Sequence, residues 1–189
     1  MNDSYYNTKE TADEYIKLAE GHNGKVLIDT FAKVLPSEST LLEIGSGPGT
    51  DWNILKEIYK VTGSDTSPEF LKHLKLTNPK GTFVKLDAAT LDVNQKFDGI
   101  YSNKVLHHLK TDELIHSIKR QAEVLNSNGI ICHSFWKGEG TEVFKGLFVN
   151  YHTEQDLRNL FDSSFDIISI THYAEFETDD SIYMIARKK

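Results

Sequence analysis

Two periodicities alternate along this chain. Short apolar or alternating runs, of the kind that form half-buried or buried strands, occur at residues 41–44, 61–65, 82–86, 97–103, 130–136, 165–173 and 181–187. Between them the apolar positions recur at helical spacing. Phe70, Leu71 and Leu74 make one such stripe, Leu114, Ile115, Ile118, Ala122 and Leu125 a second, and Leu157, Leu160 and Phe161 a third. A shorter pattern through Trp52, Ile54, Leu55 and Ile58 follows the first strand directly. Strands separated by helices predict a parallel sheet with helical crossovers. The last two strand runs are joined only by the acidic stretch 175–180, too short for a crossover, so this pair is expected to be antiparallel.

Residues 1–40 stand outside this alternation. A helical pattern through Ala12, Tyr15, Ile16 and Ala19 breaks at Gly21 and Gly24. A second helix is expected from about Lys25 to Leu35, with Val26, Leu27 and Phe31 on its apolar side and Pro36 ending it. Both are read as a helical cap over a core at 41–189. Tyr5, Tyr6 and Tyr15 suit either packing against the sheet or a lid, with Gly21 and Gly24 as its hinge. Other signals are local. Ser67, followed by Pro68 and Glu69, should cap the helix after the second strand. Thr111 and Thr153 are expected caps, 126–129 a turn, and 137–150 a long glycine-containing loop suited to substrate recognition.

The candidate chemistry lies where the first strand breaks, at Glu43-Ile44-Gly45-Ser46-Gly47-Pro48-Gly49-Thr50. Glycines at 45 and 47 allow a tight turn and close approach of a ligand to the backbone. Free N–H groups and the start of the next helix would favour an anionic group there. The second strand ends in Asp65, followed by Thr66, at the distance from the turn at which an acid accepts hydrogen bonds from a ribose diol. The alternative is an ordinary strand-to-helix turn. The third strand ends at Asp87-Ala88, and the fourth at Asn103, followed by Lys104, Val105, Leu106, His107, His108 and Leu109. Strand C-termini beside a switch point are where open α/β sheets place ligands. The adjacent His107 and His108 lack the spacing of a metal site, and no metal is expected.

Composition narrows the field. The sequence of 189 residues is long enough for one domain with one core. A net charge of -7 without a basic run makes a nucleic-acid backbone a poor partner. No stretch is long and apolar enough for a bilayer, and a polar N-terminus with a single cysteine, Cys132, fits a cytoplasmic setting. Oligomeric state is not readable.

The spacing of Gly45, Gly47 and Gly49 after Glu43 resembles motif I of class I S-adenosylmethionine-dependent methyltransferases, and the Asn103 to Leu109 segment resembles motif IV and the segment after it in their small-molecule members. The resemblance runs from about residue 10 to the end. It implies a Rossmann-like, doubly wound, seven-stranded sheet, mostly parallel with an antiparallel C-terminal hairpin, under an N-terminal helical cap. It also implies S-adenosylmethionine as cofactor and S-adenosylhomocysteine as product. The positions implied to hold the cofactor are Glu43, Gly45, Ser46, Gly47, Asp65, Thr66, Asp87, Ala88, Asn103, Leu106 and Tyr15. In that family the glycine loop holds the methionine end, and the acid at position 87, or the next backbone N–H, recognises the base edge. The activity implied is methyl transfer to a small molecule. The Asn-Pro-Pro-Tyr run of enzymes that methylate DNA bases or protein glutamine is missing, and one cysteine disfavours an arsenic-methylating type. If the acceptor must lose a proton, His107, His108, His133 and His152 are the candidate bases. Two rival readings are a catalytically inactive cofactor-binding scaffold or regulator, and a nicotinamide oxidoreductase. Thr50 in place of a third glycine argues against the second.

Overall fold

A computed structural model describes residues 8–144 and 146–189. Its centre is a seven-stranded sheet in the order β3-β2-β1-β4-β5-β9-β8. The strands are β1 (Thr40–Ile44), β2 (Lys60–Asp65), β3 (Thr82–Lys85), β4 (Phe97–Asn103), β5 (Leu125–Trp136), β8 (Phe165–Tyr173) and β9 (Ser181–Lys188). The first five pair in parallel, while β9 runs antiparallel to both β5 and β8. The expected mostly parallel sheet with a C-terminal antiparallel hairpin is thus present. The final hairpin strand, β9, inserts between β5 and β8. That order differs from the six-stranded parallel order of the dinucleotide-binding dehydrogenases.

The period-two pattern decides the layers. Leu42, Ile44, Ile100 and Ile131 face one side, where they meet Leu114 and Ile118 of α5 (Thr111–Val124) and Leu157 and Phe161 of α6 (Glu154–Phe161). Leu41, Val61, Tyr101 and Cys132 face the other, against Leu27, Ile28 and Phe31 of α2 (Lys25–Phe31) and Leu71 and Leu74 of α4 (Pro68–Thr77). Each fully buried aliphatic chain contributes about 1.5–3 kcal/mol by leaving water. Ser67 caps α4 as expected, accepting from the Phe70 N–H at 3.2 Å. Thr153 caps α6 in a reciprocal pair with Asp156.

Several local expectations are corrected. Thr111 is the first residue of α5 and not its cap; the Glu113 carboxylate satisfies the Lys110 N–H at 2.9 Å. Ile115 and Val26 are exposed, because each stripe is narrower than its apolar residues. The 126–129 segment continues β5 as an irregular strand, with Asn128 at φ 61°. The 137–150 loop contains an antiparallel ribbon, β6 (Thr141–Phe144) and β7 (Leu147–Asn150). The helix after the glycine turn, α3 (Trp52–Leu55), is a single turn. Its first residue, Trp52, is buried against Phe83 with ring centroids 4.8 Å apart.

The cap divides in two. The second cap helix, α2, belongs to the core. Its first turn is pinned where the Gly24 N–H donates to Asp51 Oδ1 at 2.6 Å, and a Cβ at Gly24 would sit 2.2 Å from the Tyr101 hydroxyl. Gly24 is therefore a clamp and not the expected hinge. Gly21, at φ 81° with open space around it, fits that role alone. The first cap helix, α1 (Lys9–Leu18), buries only Ala12 fully and leaves Leu18 61% exposed. Tyr5 and Tyr6 lie outside the described residues.

Candidate functional site

The turn after β1 has Gly45, Gly47 and Gly49 at φ 69°, 49° and 89°, a backbone that other residues adopt at a cost. Two of the three also lack room. A Cβ at Gly45 would lie 2.5 Å from Val105 Cγ2, and one at Gly49 2.5 Å from Leu74 Cδ2. Among the described residues only the Tyr15 ring comes as close as 4.0 Å to a Cβ built at Gly47, so they leave an open cradle there. The expectation of free N–H groups for an anion is corrected at three positions of the turn. The Ser46 N–H donates to the Ser64 carbonyl at 2.7 Å, the Gly49 N–H to the Ser46 carbonyl at 2.8 Å, and the Gly47 N–H to Asp65 Oδ2 at 2.9 Å. What the loop offers at Gly47 is space rather than donors, and the one-turn α3 adds little dipole.

Two adjoining cavities open at the C-terminal ends of β1, β2 and β4. The smaller, of ≈ 110 Å³, is walled by Asp65, Thr66, Phe70, Leu86, Ala88 and His108. The larger, of ≈ 510 Å³, is walled by Glu43, Ser46, Asp51, Trp136, Glu175 and Phe176. Tyr15, Gly45, Gly47, Asn103 and Lys104 border both, so the two form one crevice with Asn103 and Lys104 at its waist. Tyr15 packs its ring 5.7 Å from that of Phe70, and α1 thereby roofs the crevice. Asp65 holds the Gly47 N–H with one oxygen and the Ser67 N–H, at 2.9 Å, with the other.

Of the sequence-predicted positions, Glu43, Gly45, Ser46, Gly47, Asp65, Thr66, Ala88, Asn103 and Tyr15 meet at this crevice. Asp87 and Leu106 do not line it. Asp87 turns its Oδ1 to the Ala89 N–H at 2.7 Å, and Leu106 is a fully buried core residue. Of the four histidines only His108 reaches the wall, its Nδ1 2.7 Å from the Phe148 carbonyl on the ribbon. His107 is buried beside it, with Nδ1 lacking a hydrogen-bond partner. His152 is buried with its ring edge against Phe135. His133 is wholly interior because its side chain points back under the sheet into α5. Among the described residues no group of three or more His, Cys, Asp or Glu could hold a metal.

Three residues escaped sequence reasoning. Asp51 accepts from the Gly24 N–H at 2.6 Å, the Tyr101 hydroxyl at 2.7 Å and Asn103 Nδ2 at 3.0 Å. Lys104 sits at φ 55°, its N–H donating to Ser134 Oγ at 2.9 Å. Its ammonium donates to the Phe135 carbonyl and Ser181 Oγ and lies 3.3 Å from the Trp136 ring centroid. Burial holds this ammonium down to about 7, against the pull of Glu175 and Asp180. Phe176, from the β8–β9 turn, stacks on Trp136 with centroids 5.9 Å apart. A single residue in a turn, polar or aromatic, carries no sequence signal for such roles.

Glu43 is buried with Ser46 Oγ donating to its Oε2 at 2.5 Å. Burial pushes its carboxyl up to about 8, so it is protonated at neutral pH. The folded state then holds a proton that the unfolded chain has lost, and Glu43 lowers stability as pH rises from its ordinary value of 4.5 through 8. The lowered histidines act oppositely near 6.5, so the contrast with Glu43→Gln isolates the effect. In denaturant titrations of ligand-free protein, the midpoint advantage of Glu43→Gln over the wild type should grow steadily between pH 5 and pH 8. Parallel curves would contradict the buried, protonated state.

The sequence over residues 41–129 matches the family model of a methyltransferase domain. Solved structures share the fold. A 1,6-didemethyltoxoflavin-N1-methyltransferase from Burkholderia thailandensis is 20% identical, with a TM-score of 0.79 over 95% of this chain and 84% of that one. The N-methyltransferase NodS from Bradyrhizobium japonicum is 13% identical, with a TM-score of 0.73 over 96% and 98%. An S-adenosylmethionine-dependent methyltransferase from Clostridium acetobutylicum is 14% identical, with a TM-score of 0.76 over 95% and 98%. The motif-bearing residues 41–129 match a methyltransferase domain, and the whole sheet has the fold of the S-adenosylmethionine-dependent methyltransferases.

Proposed function

We propose that the protein transfers a methyl group from S-adenosylmethionine to a small molecule. The observation that carries this reading is the single crevice joining Asp65 and Ala88 at one end to Glu43, Asp51 and Trp136 at the other, with the open cradle of Gly47 between them. An elongated molecule with a nucleoside at one end fits that shape. When bound, S-adenosylmethionine supplies a methyl group already activated by its sulfonium, so the protein needs no nucleophile of its own.

The chain's task is placement and shelter. Asp65, fixed by two backbone N–H groups, presents a carboxylate that would accept from a pair of hydroxyls. Phe70, Leu86 and Val105 supply apolar walls for a flat base. Asn103 is braced from two sides, donating to Asp51 Oδ2 and accepting from Ser134 Oγ at 2.5 Å, which holds the waist rigid. Asp51 and Glu175 put negative charge around the larger cavity, which suits a cationic cofactor. The stacked Trp136 and Phe176 form an aromatic wall there against which an acceptor can lie. Support for a small acceptor comes from relatives of the same fold, one of them solved with 1,6-didemethyltoxoflavin and S-adenosylhomocysteine and NodS with S-adenosylhomocysteine. His108 is the candidate nearest to serve as a base, since it alone of the four histidines lines the crevice.

Turnover of labelled S-adenosylmethionine against a panel of small nitrogen, oxygen and carbon acceptors tests the activity. Cofactor binding without turnover of any acceptor would favour the inactive scaffold. Asp65→Ala should weaken S-adenosylhomocysteine about thirtyfold or more in calorimetry, since a charged, partly buried pair of hydrogen bonds is worth about 2–4 kcal/mol. An unchanged dissociation constant would leave Asp65 a purely local brace. The reading also makes α1 a lid turning at Gly21, because it roofs the crevice while burying little of its own surface. Amides of residues 9–18 should exchange quickly in free protein and slow on addition of S-adenosylhomocysteine. Equal protection in both states would make the helix static packing.

A further inference from the structure

Behind the small cavity runs a file of buried polar side chains that the proposed chemistry does not use. Ser102 Oγ lies 2.8 Å from His133 Nδ1, and His133 Nε2 lies 2.8 Å from Gln121 Oε1. Gln121 Nε2 donates to Ser117 Oγ at 3.2 Å, and Ser117 Oγ donates to the Ala88 carbonyl at 2.6 Å. All four side chains are fully buried.

The directions of these bonds follow from the far end. A carbonyl only accepts, so the Ser117 hydroxyl hydrogen is spent on Ala88. The Ser117 oxygen then accepts from the Gln121 amide, which turns the Gln121 carbonyl toward His133. That carbonyl also only accepts, so His133 carries its hydrogen on Nε2. Its Nδ1 is left to accept, and the Ser102 hydroxyl must donate to it. The file has one sense throughout, and no link of it is left unpaired. Bonds aligned in this way strengthen one another in a low-dielectric interior. Burial holds the His133 imidazole down to about 3, so the neutral tautomer persists at ordinary pH.

One end of the file reaches the crevice, and the other lies one residue from it in sequence. Ser102 directly precedes Asn103 at the waist, and Ala88 is part of the wall of the small cavity. The peptide between Ala88 and Ala89 is gripped twice. Ser117 holds its oxygen, and Asp87 Oδ1 holds its N–H at 2.7 Å. One helical turn on, Arg120 donates to the carbonyls of Thr90 and Leu91 at 3.3 and 3.1 Å. Three carbonyls of the segment after β3 are thus tied to α5, although that segment forms no strand or helix of its own.

We infer that Ser117, Gln121 and His133 are positioning residues that fix the backbone at Ala88 as the edge that reads the cofactor's base. The inference rests on the proposed cofactor. It gives the buried polar file a purpose: a nonpolar α5 face would leave the Ala88 carbonyl without its donor and the peptide held from the Asp87 side alone, loosening the base contact.

The test uses S-adenosylhomocysteine and S-inosylhomocysteine, which differ only in the hydrogen-bonding edge of the base. Wild-type protein should prefer the adenine form strongly. Ser117→Ala should bind it about tenfold more weakly and lose most of that preference, the tenfold drop corresponding to about 1.4 kcal/mol. Gln121→Met, which keeps the shape and breaks the middle of the file, should act in the same direction. Both should speed amide exchange at residues 88–91 while exchange in β4 and β5 stays slow. Weaker binding with an unchanged preference would mean a general structural role and overturn the inference, as would unchanged binding. If neither variant folds, the inference also fails, since the file would then be a requirement of the fold itself. Failure of the wild type to bind either compound would overturn the proposed cofactor instead.

Discussion

One buried carboxylate holds the crevice together. Asp51 ties the N-terminus of α2, through Gly24, to β4, through Tyr101 and Asn103. Those three pieces of chain are distant in sequence, and the carboxylate joins them at one point. A buried carboxylate is tolerated only when its oxygens are satisfied, and here three donors satisfy them. The glycine turn that precedes Asp51 belongs to the same geometry. Between β1 and the carboxylate the chain passes through left-handed positions at Gly45, Gly47 and Gly49.

Around that anchor the site is divided between rigid and loose parts. The floor consists of strand ends braced by side chains: Glu43 by Ser46, Asp65 by two backbone N–H groups, and Asn103 by Asp51 and Ser134. The roof is α1, with a single fully buried side chain. The outer wall is the ribbon β6–β7 and the β8–β9 turn, which contribute Leu147 and Phe176. This division is what placement catalysis requires, since the floor sets the geometry and the roof can open for exchange.

The fold was legible because strand and helix periods differ and because the connections sort parallel from antiparallel pairs. Leu41 and Leu42 already point to opposite layers in a plain apolar run, and the short acidic link at 175–180 already requires the antiparallel end. The site was legible where backbone conformation restricts residue choice, as at Gly45 and Gly47, and where a strand ends in an acid, as at Asp65. It was illegible where a role depends on where a side chain turns. His133 follows the β5 pattern that seemed to aim it at a ligand, yet its ring completes a hydrogen-bonded file beneath the sheet. Asp51 and Lys104 look like ordinary turn residues until Gly24 and Trp136 are brought to them. Of the N–H groups expected to be free in the glycine turn, those of Ser46 and Gly47 are taken by Ser64 and Asp65 of β2 and that of Gly49 by the Ser46 carbonyl, a consequence of pairing that no local pattern encodes.

The central claim is that Gly47 leaves its space for a bound cofactor and not for packing. The most direct measurement is a calorimetric titration of S-adenosylhomocysteine into wild-type protein and Gly47→Val, with the unfolding midpoint of each recorded without ligand. The account predicts binding by the wild type and none by the variant, whose folded state survives because, among the described residues, only the Tyr15 ring borders the added atoms. Equal binding by both proteins, at similar stability, would contradict it.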